Sequence, residues 1–143
     1  MVHIRDEGSQ FDAPIHVIWK YLSGPDHGDA HKNNRNQQAK PVGENTVLVT
    51  MEQNMGGQWV KAANRITSYP PIGVAIEVVD GPLAGSKILN VYTPKGKKTG
   101  IDVYGEFVSP QIPPAQLEPA VRAFLATVFE EDNATLKALA AKE

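Results

Sequence analysis

The apolar positions of this chain change their period twice, and the changes divide it into three parts. Residues 2–11 alternate weakly and predict a first strand. Ile15, Ile18, Trp19 and Leu22 follow at i, i+3, i+4 and i+7, which places them on one face of a short helix. Asp12 is placed to cap that helix, and Pro14 sits in its first turn, where a missing N–H costs nothing. Ser23-Gly24-Pro25 ends it, and the polar residues 26–34 predict a second short helix or a structured loop. From residue 36 to 108 the period is two. Val47, Val49 and Met51 alternate with Leu48, Thr50 and Glu52. Gly56-Gly57, both tolerant of positive φ, predicts a two-residue hairpin turn. Val60, Ala62, Asn64 and Ile66 share one face of the returning strand. Val74, Ile76 and Val78, then residues 87–93, then Ile101, Val103, Gly105 and Phe107 continue the alternation between turns rich in glycine and proline. The pattern predicts an antiparallel meander with one apolar face.

The third part, from about Ala115 to Ala141, returns to helical spacing. Leu117, Val121, Phe124, Leu125, Val128, Phe129, Leu136 and Leu139 gather into one apolar arc. The regular helix is expected to begin near Pro119, after a loose first turn. Asp132 falls near the middle of the arc, where a carboxylate is costly unless it is paired or wet. The helix therefore covers a cavity with polar contents or overruns the core at that point. A sheet with one apolar face and a helix with one apolar stripe bury both most simply when the sheet curves around the helix. The fold class this predicts is α+β, a helix-grip: an antiparallel sheet of about seven strands wrapped around a long C-terminal helix, with two short helices after the first strand.

Length and composition narrow the picture. The 143 residues suggest one domain, 1–143, large enough to bury a core without metal or disulfide staples. A hydrophobic share of 41% and a charged share of 21% are ordinary for a globular protein. A formal net charge of −2 argues against nucleic-acid binding driven by bulk charge. Lys95, Lys97 and Lys98 read as a solvated turn. The absence of cysteine excludes thiol catalysis, disulfides and thiolate metal sites. The first residues lack an apolar secretory segment, and no apolar run approaches the ~20 residues of a membrane span, so the expected compartment is the cytoplasm.

Several short segments, taken in order, resemble a known superfamily. They are Phe11-Asp12-Ala13-Pro14 with Val17-Ile18-Trp19 and Leu22; Gly81-Pro82 with Gly85-Ser86; Thr99-Gly100-Ile101-Asp102-Val103; and Glu131-Asp132 with Leu136-Lys137. Over nearly the whole chain they resemble the START/Bet v 1-like (SRPBCC) superfamily and its helix-grip fold, and most of all its bacterial polyketide cyclase/dehydrase-like branch. The resemblance implies a cavity under the last helix of the kind that takes lipids, hormones, polyketides or aromatics. Some members are cyclases, dehydratases or hydroxylase components, and others activate a chaperone. No Rieske-type Cys/His pattern is present, which removes the iron-dependent oxygenase branch.

The chemistry-bearing residues are few. His27 and His31 are four apart and share a face if their segment is helical, an arrangement that can bind zinc or nickel. Gly28 weakens that helix and a third ligand must come from elsewhere, so no metal and no cofactor is assigned. The plainer reading is a polar loop with exposed histidines. The resemblance places this short helix at the cavity rim, where His31 would be the best general acid or base of the chain. Arg35 is the cation chosen to pair with Asp132, against a solvated connection. Asn64, on the apolar alternation, needs partners if it is buried. Asn90 and Tyr92 share the face of Ile88, with the orientation open. Asp102, Tyr104 and Glu106 are expected to face water. Met51 and Met55, with Trp59, read as core or cavity lining. No serine stands in a nucleophile elbow, and no phosphate loop is present.

The leading expectation is binding of a small hydrophobic or amphipathic ligand between sheet and last helix. Met51, Ile76, Val103, Phe107, Phe124 and Val128 would wall the cavity, and Asn64, His31 and Asp132 would orient the ligand. The rival is a cyclase/dehydratase-type enzyme on a polyketide-like or aromatic substrate, with His31 or Asp132 as the acting group. A third class is a protein-binding adaptor. The expected partners are a small apolar ligand, no nucleic acid and no membrane span, in a monomer or homodimer.

Overall fold

The structure, a computed structural model, describes residues 1–143. In chain order it comprises strand β1 (Val2–Phe11), helices α1 (Ile15–Leu22) and α2 (Asp26–Ala30), strands β2 (Asn34–Gly43), β3 (Thr46–Met55), β4 (Gln58–Tyr69), β5 (Gly73–Asp80), β6 (Lys87–Lys95) and β7 (Lys98–Phe107), and helix α3 (Pro114–Ala141). The strands form one antiparallel sheet in the order β1-β7-β6-β5-β4-β3-β2. Gly56 and Gly57, at φ 60° and 93°, make the two-residue turn between β3 and β4. No helix is long and apolar enough to cross a membrane.

Cross-strand partners share a face, so the register sorts the side chains. Met51 lies opposite Ala62, Asn64 opposite both Val49 and Val78, and Ile76 opposite both Ile66 and Ile88. Asn90 pairs with Val103, Tyr92 with Ile101, and Phe107 with Val2. This is the inner face, and Met51, Asn64, Ile76, Val103 and Phe107 all stand on it. So do Asn90 and Tyr92, whose orientation the alternation left open. Asp102, Tyr104 and Glu106 stand on the other face, in register with Val91, Leu89 and Lys87.

Helix α3 is held at its two ends. Near its start Leu117 and Val121 pack with Ile4 and Phe107. Near its end Leu136 packs with Phe11, the buried face of α1, Val74, Tyr92 and Ile101. Phe129 stacks on Phe11 with ring centroids 5.0 Å apart. Between these clusters the helix is less covered: Leu125 and Val128 are half-buried, and Phe124 is 41% exposed. The inner-face residues Ile66, Ile76, Val78 and Val103 also keep accessible surface. Both ends of the helix pack against buried clusters, and the stretch between them is more accessible.

Four local expectations need correction. Asp12 does not cap α1, which has no side-chain cap; its carboxylate and N–H are taken by Asn133 instead. The buried face of α1 is Val17, Ile18 and Tyr21, with Ile15, Trp19 and Leu22 beside it. Helix α3 is continuous from Pro114 through Pro119. Only one hydrogen bond is lost there, because the carbonyl four residues back belongs to Ala115, which is exposed and can be met by water. Trp59 is not core: it pairs with Asn54 on the outer face, and the Arg35 guanidinium lies 4.1 Å above its ring.

Phe107 and Phe124 should therefore behave differently. Phe107, with no exposed surface, should cost about 3–5 kcal/mol on change to alanine. Phe124→Ala should stay within about 0.5 kcal/mol of the parent. Denaturant melts of both variants check this, and equal losses would contradict the open middle.

Candidate functional site

Three consecutive residues of α3 reach three different parts of the chain. Asn133 makes a reciprocal pair with Asp12: its Oδ1 accepts the Asp12 N–H at 2.8 Å, and its Nδ2 donates to Asp12 Oδ2 at 3.0 Å. Asp132 accepts a hydrogen bond on Oδ1 from the Tyr21 hydroxyl of α1 at 2.5 Å. The same oxygen lies 3.1 Å from His31 Nε2 and 3.6 Å from His27 Nε2. Glu131 Oε1 lies 3.1 Å from His31 Nδ1, and its Oε2 accepts the Lys32 N–H at 3.2 Å. The rings of His27 and His31 meet edge to face at 5.2 Å, and Tyr21 and His27 do so at 4.9 Å. The side chains of His31, Asp132 and His27 are 11%, 14% and 34% exposed.

The sequence accounts for this convergence. On α1, Tyr21 follows Val17 by four positions and Ile18 by three, so it lies on their buried face. A buried phenol needs a partner for its O–H, and Asp132 supplies one. Helix α2 is short, and His31 terminates it in extended backbone. That places the imidazole of His31 between the two carboxylates of α3. Burial, then the hydrogen bond and charge of Asp132, push the Tyr21 phenol well above its ordinary range, so it stays a donor. Burial raises the Tyr92 phenol on the inner face as well, with the Asp132 charge adding to it. Burial lowers His27 in spite of Asp132. Burial also pulls on His31, but the hydrogen bonds and charges of Asp132 and Glu131 outweigh it and the net shift is upward.

Helix geometry puts Phe124, Val128 and Asp132 at i, i+4 and i+8, one face of α3. The carboxylate–imidazole group thus continues the line of Phe124 and Val128 along that face. A polar hollow of about 430 Å³ adjoins it, lined in part by Gly28, Asp29, His31, Arg35 and Gln37. A larger one, of about 640 Å³, lies elsewhere, bordered by outer-face residues such as Arg5, Glu77, Leu89 and Tyr104, and holds none of these groups. Of the residues singled out in the sequence, Asp132 and His31 come together. Asn64 stands apart on β4, half-buried on the inner face. Arg35 does not reach Asp132. It sits on the outer face of β2, opposite Glu52, with Nε 3.4 Å from Glu52 Oε1. Tyr21, Asn133 and the contacts of Glu131 were not foreseen. The signal for Tyr21 was its place beside Val17 and Ile18; nothing local marks Asn133.

No family model matches the chain, and no curated protein matches it. Solved structures do. The di-domain aromatase/cyclase StfQ of the steffimycin biosynthetic pathway superposes at TM-score 0.77 and 12% identity over 99% of this chain, which spans 51% of that one. The ZhuI aromatase/cyclase from Streptomyces sp. R1128 gives 0.70 and 14%, over 99% of this chain and 92% of that one. A START superfamily protein from Mycobacterium smegmatis gives 0.74 and 10%, over 96% and 98%. The chain has the helix-grip fold, which it shares with these aromatase/cyclases and this START superfamily protein.

The two histidines should titrate apart. In metal-free buffer, NMR should place the His31 midpoint above the ordinary value of about 6.5 and the His27 midpoint below it. Coincident midpoints would contradict the geometry. Because the folded-state value of His31 is raised, its stabilising contribution is complete below about pH 6.5 and is lost as pH rises through the folded midpoint. Thermal melts across that window should show this loss in the parent and not in His31→Gln.

Proposed function

We propose that the protein binds a small apolar or amphipathic molecule between the inner face of the sheet and α3. The observation that carries this reading is the uncovered middle of the fold. Apolar side chains of β4, β5, β7 and α3 keep accessible surface between two closed clusters. A ligand lying there would remove that surface from water, at about 25 cal/mol per Å². The walls are apolar and the polar groups few, as small-molecule sites require. Asn64 and Asn90 offer amides on the sheet side, and His31 and Asp132 meet the ligand's polar end.

A second reading is favoured by one observation, the grouping of His31, Asp132 and Tyr21. Two titratable side chains in hydrogen-bond contact, held by a phenol that stays protonated, suit acid–base chemistry. The aromatase/cyclase neighbours suggest a polyketide-like or aromatic substrate, on which His31 would exchange the proton while Tyr21 and Asp132 hold the ring in place.

Fluorescence titration with N-phenyl-1-naphthylamine tests the first reading. Saturable uptake of about one probe per chain is expected, weakened tenfold or more by Val128→Trp, which fills the space while α3 stays folded. Absence of saturable uptake, or uptake indifferent to Val128→Trp, would sink it. For the second reading, the native protein is incubated with a linear poly-β-ketone mimic. Ring closure with loss of water should be lost in His31→Gln while its far-UV circular dichroism matches the parent. No product from the native protein would rule it out.

A further inference from the structure

We propose that His27, His31 and Asp132 form a binding site for one divalent transition-metal ion of the zinc type. The donor atoms come from two places about a hundred residues apart. Helix α2 and its end supply two imidazoles, and α3 supplies the carboxylate. One donor atom from each of the three residues lies within 4.8 Å of the others. Two edges of this triangle, His31 Nε2 to Asp132 Oδ1 at 3.1 Å and His27 Nε2 to the same oxygen at 3.6 Å, bracket the separation of about 3.3 Å between ligands around tetrahedral zinc. Small rotations of the side chains would bring all three onto one ion.

The donor set selects the class of metal. Two nitrogens and one oxygen suit zinc, cobalt, nickel or copper; calcium and magnesium require oxygen cages. Three protein ligands leave a fourth position for water, as in zinc sites that are not purely structural. The surroundings are built for such a role. His31 Nδ1 is engaged by Glu131, which leaves Nε2 directed at Asp132 and His27. A carboxylate behind a ligating histidine is the usual way a protein fixes that ring for a metal. Glu131 is itself fixed by the Lys32 N–H, and Asp132 by the Tyr21 hydroxyl. The polar hollow beside His31 gives an ion a way in. When a metal binds, it takes the place of the proton on His31 Nε2, and the proton leaves to solvent.

The site does not depend on the apolar cavity being occupied, and the two can be tested apart. The protein is treated with chelator, exchanged into metal-free buffer and titrated with Zn²⁺ by calorimetry and with Co²⁺ by visible absorption. One ion per chain and the ligand-field bands of a four- or five-coordinate site are expected. Glu131→Gln should weaken binding by about 10–100-fold. His27→Gln and Asp132→Asn should each weaken it at least as much, whereas His3→Gln and His16→Gln should not change it. Far-UV circular dichroism of each variant shows that the fold persists, and naphthylamine uptake should be unchanged in Glu131→Gln and His27→Gln, whose side chains are not among the proposed ligand contacts. No saturable binding, or binding that survives both His27→Gln and Asp132→Asn, would overturn the proposal. In either case the cluster is an ion-paired tie only, and the cavity reading stands or falls on probe uptake alone.

Discussion

One carboxylate on an apolar stripe sets the terms for the rest of this fold. Asp132 lies on the side of α3 that packs inward, where an unpaired charge would cost several kcal/mol. Its partners do not come from α3 itself, where Val128, Phe129 and Leu136 are apolar and the Thr135 hydroxyl donates to the Glu131 carbonyl. They come from Tyr21 and from the two histidines around α2. Satisfying Asp132 therefore requires α1 and α2 to lie against the C-terminal half of α3. Glu131 and Asn133 extend the same tie to Lys32 and Asp12. The helix is fixed at this end by polar contacts as much as by Leu136 and Phe129.

That tie explains why the molecule can stay open in the middle. The far end of α3 is closed by Leu117 and Val121 against Ile4 and Phe107. With both ends secured, the segment around Phe124 and Val128 need not touch the sheet for the helix to stay in place. On the inner face of β4, β5 and β7, Ile66, Ile76, Val78 and Val103 keep part of their surface accessible. The proposed ligand and the proposed acid–base chemistry draw on partly accessible apolar side chains beside a cluster of polar, titratable groups, and the proposed metal ion draws on that cluster alone.

Much of the fold was legible because it rests on periodicity. The strands from β3 to β7 follow the alternation of Val47, Ile66, Ile76 and Val103, and the Gly56-Gly57 turn follows from positive φ. The position of Asp132 on its stripe was legible for the same reason. Its partners were not. Arg35 is a cation of the polar segment after α2, but β2 turns it to the outer face, where Glu52 and Trp59 take it. Tyr21 is not among the apolar positions whose spacing marks α1, and its partner lies more than a hundred residues away. His27 and His31 showed metal spacing without a third ligand for the same reason. Periodicity reports which way a side chain points, not which distant residue it meets.

A double-mutant cycle on Tyr21→Phe and Asp132→Ala tests most directly whether Asp132 holds the helices together. If the carboxylate is the point on which α1 and α3 converge, each single change destabilises the protein and the two losses overlap, with a coupling energy of about 1.5–3 kcal/mol for a buried hydrogen bond to a charge. Losses that add to within about 0.3–0.5 kcal/mol would mean that the two side chains act independently, and would contradict the account.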